Sequence, residues 1–201
     1  MSLLKTLLHK PWTDAGVVES DDGPLSTIPS AKIGLWAFMF TLAGVFGLFT
    51  VAYQMRIELT TDWLPLPKPS ILWLNTIVLI LASVAFEYTK SQAKQMKPAG
   101  IRHGLIISGL LTFGFLAGQL GAWNELQASG YLLADNPANS FFYLLTGLHG
   151  LHLLGGLLVW AKATWRAFAG YEVQLSVELC ATYWHFLLLV WVVLLGLLLS
   201  T

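Results

Sequence analysis

Apolar residues gather in five long runs, and polar residues are pushed into the gaps between them. The runs cover residues 33–53, 71–88, 105–123, 140–160 and 177–199, and none contains a proline. Each is about long enough to cross a hydrocarbon core of roughly 30 Å as a helix. Lipid offers the backbone no hydrogen-bond partner, so a spanning segment must satisfy its own amides, and the runs are predicted to be helices. A transmembrane β-barrel would show segments of about ten alternating residues instead. The gaps hold helix breakers: Pro65, Pro67 and Pro69 after the first run, Pro98 and Gly100 after the second, Asn136 and Pro137 after the third. Proline lacks an amide donor and disfavours helix before it. The pattern predicts an all-α, polytopic transmembrane bundle of five spanning helices over residues 32–201, without internal repeats. Residues 1–31 read as a polar tail. Their apolar start (Leu3, Leu4, Leu7, Leu8) is interrupted by Lys5 and followed by an acidic, turn-rich stretch, which does not fit a secretory signal. That amphipathic start is expected to lie on the membrane surface.

Composition agrees. Hydrophobic residues make up 56% and charged residues 11%, with mean hydropathy +0.66. A soluble domain carries about 25% charge. Nine tryptophans suit rings placed at membrane interfaces. A formal net charge of zero leaves no basic footprint for nucleic acid. The single Cys180 permits neither an internal disulfide nor a cysteine metal cluster, and reads as a small buried side chain.

Charge placement predicts orientation. Lys5, Lys10 and Lys32 precede the first run, Lys90, Lys94, Lys97 and Arg102 separate the second from the third, and Lys162 and Arg166 separate the fourth from the fifth. With five spans these regions share one side and hold nine of the eleven basic residues, leaving Arg56 and Lys68 opposite. The N-terminus is therefore expected in the cytoplasm and the C-terminus in the periplasm, across a bacterial inner membrane. Gly109, Gly114, Gly118 and Gly121 in the third run, and Gly147, Gly150, Gly155 and Gly156 in the fourth, predict close helix packing.

Polar groups inside the runs are costly and each needs a partner or a purpose. They are Asn75, Glu87, Gln119, His149, His152, Glu178 and His185, with Glu125 just beyond the third run. His149 and His152 fall within about 60° on one helix face. Glu178 and His185 lie two turns apart and share a face as well. Three uses fit the histidines: hydrogen bonds to carboxylates, carbonyls or lipid headgroups; ligation of a haem b by His149 or His152 with His185; a histidine-rich di-iron site. The last wants about eight histidines, and the chain has five. Tyr183, Trp184 and Trp123 read as interfacial anchors. No nucleotide loop, nucleophile–base–acid triad or paired-carboxylate site is present, so no catalytic residue is assigned.

The last two runs carry a family signature. Residues 141–156, with Phe141, Phe142, Thr146, Gly147, His149, Gly150, His152 and Gly156, resemble a long motif of cytochrome c oxidase subunit III and its quinol-oxidase relatives. Glu178 followed by Tyr183, Trp184, His185, Phe186 and Trp191 resembles that family's last helix. Leu74-Asn75-Thr76, the Gln119 and Trp123 pair, and residues 34–38 match further elements, so the resemblance covers about residues 32–200. It implies a non-redox accessory subunit, without metal or haem of its own, beside subunit I and subunit II, which carry haem and copper. It also implies bound phospholipid and support of stable, proton-coupled oxygen reduction. His149, His152, Glu178, Tyr183, Trp184, His185, Asn75, Gln119 and Trp123 become candidate lipid or subunit contacts. Some members have seven helices, and this chain corresponds to the last five. Three acids of the family pattern are replaced here: Leu42 follows Thr41, Ala122 precedes Trp123, and Leu188 follows the histidine of the last motif. These departures weaken any proton-antenna role and leave open a related place beside nitric oxide reductase.

Overall fold

The structure, a computed structural model, describes residues 29–59, 63–67 and 69–200. The polar tail expected over residues 1–31 lies outside them except for its last three residues. Two compact units divide the chain at Gly34 and Leu35. Of the first unit only residues 29–34 are described, helical from Ser30 onward.

Five helices form: α1 (Ser30–Leu59), α2 (Ile71–Lys94), α3 (Pro98–Ala128), α4 (Pro137–Phe168) and α5 (Gln174–Leu199). All five are long and apolar enough to cross a membrane. No strand occurs among the described residues. Each helix outruns its apolar run, α1, α3 and α4 at both ends and α2 and α5 at one. At 32 residues, α4 is about 48 Å long, well beyond the hydrocarbon core. The overhang carries polar residues, among them Arg102, whose Nε donates to the Ala167 carbonyl at 3.2 Å, and Arg166, which donates to the Glu172 carbonyl at 3.4 Å.

One expected break is corrected. Pro98 and Gly100, read as loop, belong to the first turn of α3. Proline at the first helical position loses an amide that has no intrahelical partner there, and its fixed φ suits the helix. The α2–α3 connection therefore shrinks to residues 95–97, turned by Met96 at φ +53°. Asn136 breaks the chain as expected and caps α4, its side chain accepting from the Ala138 amide at 2.9 Å. The preceding loop is fastened onto α4 by Asn139 to the Leu132 carbonyl (2.9 Å) and by the Tyr143 hydroxyl to the Tyr131 carbonyl (2.9 Å).

Within residues 35–201, α2 packs against α3 and α5, and α4 packs against the same two. The result is a closed ring of four helices. Its axis is filled by Leu79, Phe86, Phe115, Phe142, Trp184 and Trp191, all essentially inaccessible. Glycines set the approach distances. A Cβ on Gly109 would collide with the Trp160 indole, and one on Gly156 would sit 2.9 Å from Tyr183 and 3.0 Å from Trp184. In the rest of the predicted small-residue set, a Cβ on Gly118 would collide with the Asn75 side chain and one on Gly147 would sit 3.2 Å from Trp123, whereas Gly155 meets nothing. Among the described residues, α1 brings no Cα within 8 Å of another helix. It touches the ring through large side chains: Phe46 against His152 (centroids 5.5 Å apart) and Tyr53 against Phe141 (5.4 Å). The outer surface is apolar, with Phe40, Leu48 and Leu158 prominently exposed, as suits contact with acyl chains.

Candidate functional site

A tryptophan buried in an apolar bundle needs an acceptor for its indole N–H. Three find a threonine hydroxyl on another helix. Trp184 donates to Thr112 (3.0 Å), Trp191 to Thr76 (2.9 Å) and Trp123 to Thr146 (3.0 Å). Each of these threonines in turn donates to the carbonyl four residues back, at 2.7–2.8 Å. The hydroxyl thus relays a helix carbonyl to a neighbouring indole and satisfies both groups. Trp160 does the same without a relay, donating to the Leu105 carbonyl at 2.9 Å. These contacts tie α2 to α5, α3 to α4 and, across the axis, α3 to α5.

The three membrane histidines have three environments. His149 is fully buried, with neither ring nitrogen hydrogen-bonded. It packs among Trp191 (5.3 Å), Phe115 (5.8 Å) and Phe46 (6.5 Å). His152 donates from Nδ1 to the Leu148 carbonyl at 2.7 Å and faces Phe46 of α1. Its own carbonyl accepts from the Tyr183 hydroxyl at 3.2 Å. His185 lies on the outer side of the ring. There its Nε2 meets Glu87 Oε2 at 3.1 Å and its Nδ1 meets the Ser83 hydroxyl. A carboxylate only accepts, so Nε2 carries the proton, and in the neutral ring Nδ1 accepts from Ser83. Glu87 is also bonded by Lys90 Nζ, at 3.0 and 3.1 Å.

Other expected site residues are scattered. Asn75 donates to Gln119 Oε1 at 3.4 Å across α2 and α3, both side chains buried, and the Gln119 amide nitrogen has no partner. Glu178 is half-buried near the start of α5, its carbonyl accepting from Thr182 at 2.9 Å. Trp184 and Tyr183, expected as interfacial anchors, are buried in the ring instead. His149, Trp184 and Asn75 lie wholly inside the chain, out of reach of lipid or another subunit. Contact from outside is open to His185, His152, Glu178 and Trp123. Among the described residues no three His, Cys, Asp or Glu side chains gather closely enough to hold a metal ion.

Two residues outside the expected set matter: Glu87 and Ser83. A lone acid in an otherwise uncharged run is a signal in itself, since its cost in lipid demands a partner. Which helix supplies that partner is a tertiary fact. A groove of about 550 Å³ opens between α3 and α4, lined by Leu116, Leu120, Trp123, Gly147, Gly150 and Leu154, within the ~300–1,000 Å³ range of ligand pockets.

Similarity to known proteins fits this architecture. The family described as cytochrome c oxidase subunit III matches residues 32–199. The chain is 33% identical to cytochrome c oxidase subunit 3 of Synechocystis sp. over 170 residues, covering 80% of this chain and 71% of that protein. It is 31% identical to the subunit 3 of Thermostichus vulcanus over 176 residues, covering 83% and 85%. A probable cytochrome c oxidase subunit 3 of Mycobacterium tuberculosis is 29% identical over 155 residues, covering 74% and 76%. These matches favour the oxidase over nitric oxide reductase. Five membrane-spanning helices, matched over almost their whole length, place this chain in the cytochrome c oxidase subunit III family, as an accessory membrane subunit of a haem–copper oxidase complex.

Proposed function

We propose that this chain is a non-redox scaffold that docks beside the haem–copper subunit I and the copper-bearing subunit II, holds phospholipid, and keeps proton-coupled oxygen reduction durable. The observation that carries the proposal is the ring's axis. It is filled with fully buried aromatic side chains, and the tryptophans are tied across helices through threonines. Such an interior is built for rigidity. Phospholipid fits the apolar groove between α3 and α4, whose Gly147 and Gly150 lower the helix surface for an acyl chain. The membrane is a bacterial inner membrane, with the N-terminus cytoplasmic and the C-terminus periplasmic, as the lysine and arginine bias supports.

The test is deletion. Membranes lacking this chain are expected to reduce oxygen at a near-normal initial rate and then lose activity faster than wild type. Loss of the very first turnovers, with the remaining subunits assembled, contradicts a scaffold role.

A further inference from the structure

The outer side of α2 and α5 carries a hydrogen-bonded Glu87–His185 pair among exposed apolar side chains. Glu87 and His185 keep 52% and 43% of their side-chain surface exposed. His185 lies eleven residues past Gln174, the first residue of α5, about 16 Å along the helix and close to mid-span. Glu87 is seven residues from Lys94, the last residue of α2, about 10 Å from that end. Polar side chains at such depth face protein or a water-filled cavity, not acyl chains.

The pairing within the chain is incomplete. An ionised carboxylate offers about four acceptor positions. Lys90 and His185 take three of them on Glu87. Acyl chains have no donor to give, whereas a side chain on a neighbouring helix does. The surroundings suit a helix as well. Val84 and Leu189 stand exposed on the same side. A groove of about 150 Å³ continues the face between α5 and α1, with Gly47, Thr50 and Val193 in its walls. Small residues there let another backbone come close.

We infer that the face of α2 and α5 bearing Glu87 and His185 receives a transmembrane helix of another subunit, which presents a hydrogen-bond donor to the Glu87 carboxylate. The inference rests on the scaffold reading and names the surface by which the scaffold docks.

Photo-crosslinking in the assembled complex tests it. A photoreactive side chain is placed at Val84 or Leu189, and for comparison at Leu110 of α3 or Leu158 of α4. The complex is then irradiated in native membranes and purified in mild detergent. Val84 and Leu189 are expected to join a second polypeptide, and Leu110 and Leu158 are not. An intact complex without polypeptide adducts at Val84 and Leu189 overturns the inference alone. A chain that elutes free of other subunits overturns the scaffold reading with it. Glu87→Gln keeps an acceptor and Glu87→Leu does not. The leucine variant is expected to be retained in the complex roughly three- to tenfold less than the glutamine variant, the range set by interhelical hydrogen bonds in membranes. Equal retention overturns the donor contact.

Discussion

At the scale of single residues, bilayer-spanning helices gain little from apolar burial against one another, because lipid tails are as apolar as leucine. Hydrogen bonds and close packing must then fix the ring. Thr112→Val keeps the shape of the side chain but strands the fully buried Trp184 N–H. It is expected to cost about 1–3 kcal/mol, the penalty of an unmet buried donor. The double variant Thr112→Val, Trp184→Phe should recover part of that loss. Thermal unfolding in detergent, run as a double-mutant cycle, checks both. Gly156→Leu forces a side chain into Tyr183 and Trp184 and should lower the unfolding midpoint by an amount matching about 1–3 kcal/mol. The threonines and tryptophans are plain in the sequence, but their pairing is not. Trp191 and Thr76 are 115 positions apart, and helix periodicity cannot say which distant helix a face meets. The same limit hid Glu87 as the carboxylate of His185.

At the scale of elements, five apolar runs became five helices because hydrocarbon leaves the backbone no other choice. The helix ends were harder to read. Proline ends helices but also opens them at the first helical position, as Pro98 and Pro137 do here. The resulting three-residue connection depends on Met96, exposed and in the left-handed region. A β-branched residue is strained at positive φ. Met96→Val should therefore lower the unfolding midpoint, and Met96→Gly should not. The stand-off of α1 was not legible at all, since its run is as apolar as the others. Only the contact pattern shows that Phe46 and Tyr53 bridge it to the ring. Phe46→Ala should loosen α1 selectively, seen as faster amide exchange in residues 35–59 with α2–α5 unchanged.

At the scale of the whole molecule, an oily outer surface, an aromatic axis and family membership converge on a subunit that supports chemistry done elsewhere in its complex. The sidedness proposed above predicts that a reporter fused after Thr201 is active on the periplasmic side only. The histidines are where the competing haem reading makes contact with experiment. His149 is buried among rings that include Phe46, His152 faces the same Phe46 of α1, and His185 faces outward beside Glu87. The most direct measurement is a visible absorption spectrum, taken first on the complex purified in mild detergent and again on this chain after it is stripped from its partners. A non-redox role predicts haem absorption in the complex and no Soret band in the isolated chain. A Soret band that stays with the isolated chain, and disappears in a His149→Ala or His185→Ala variant, would contradict it.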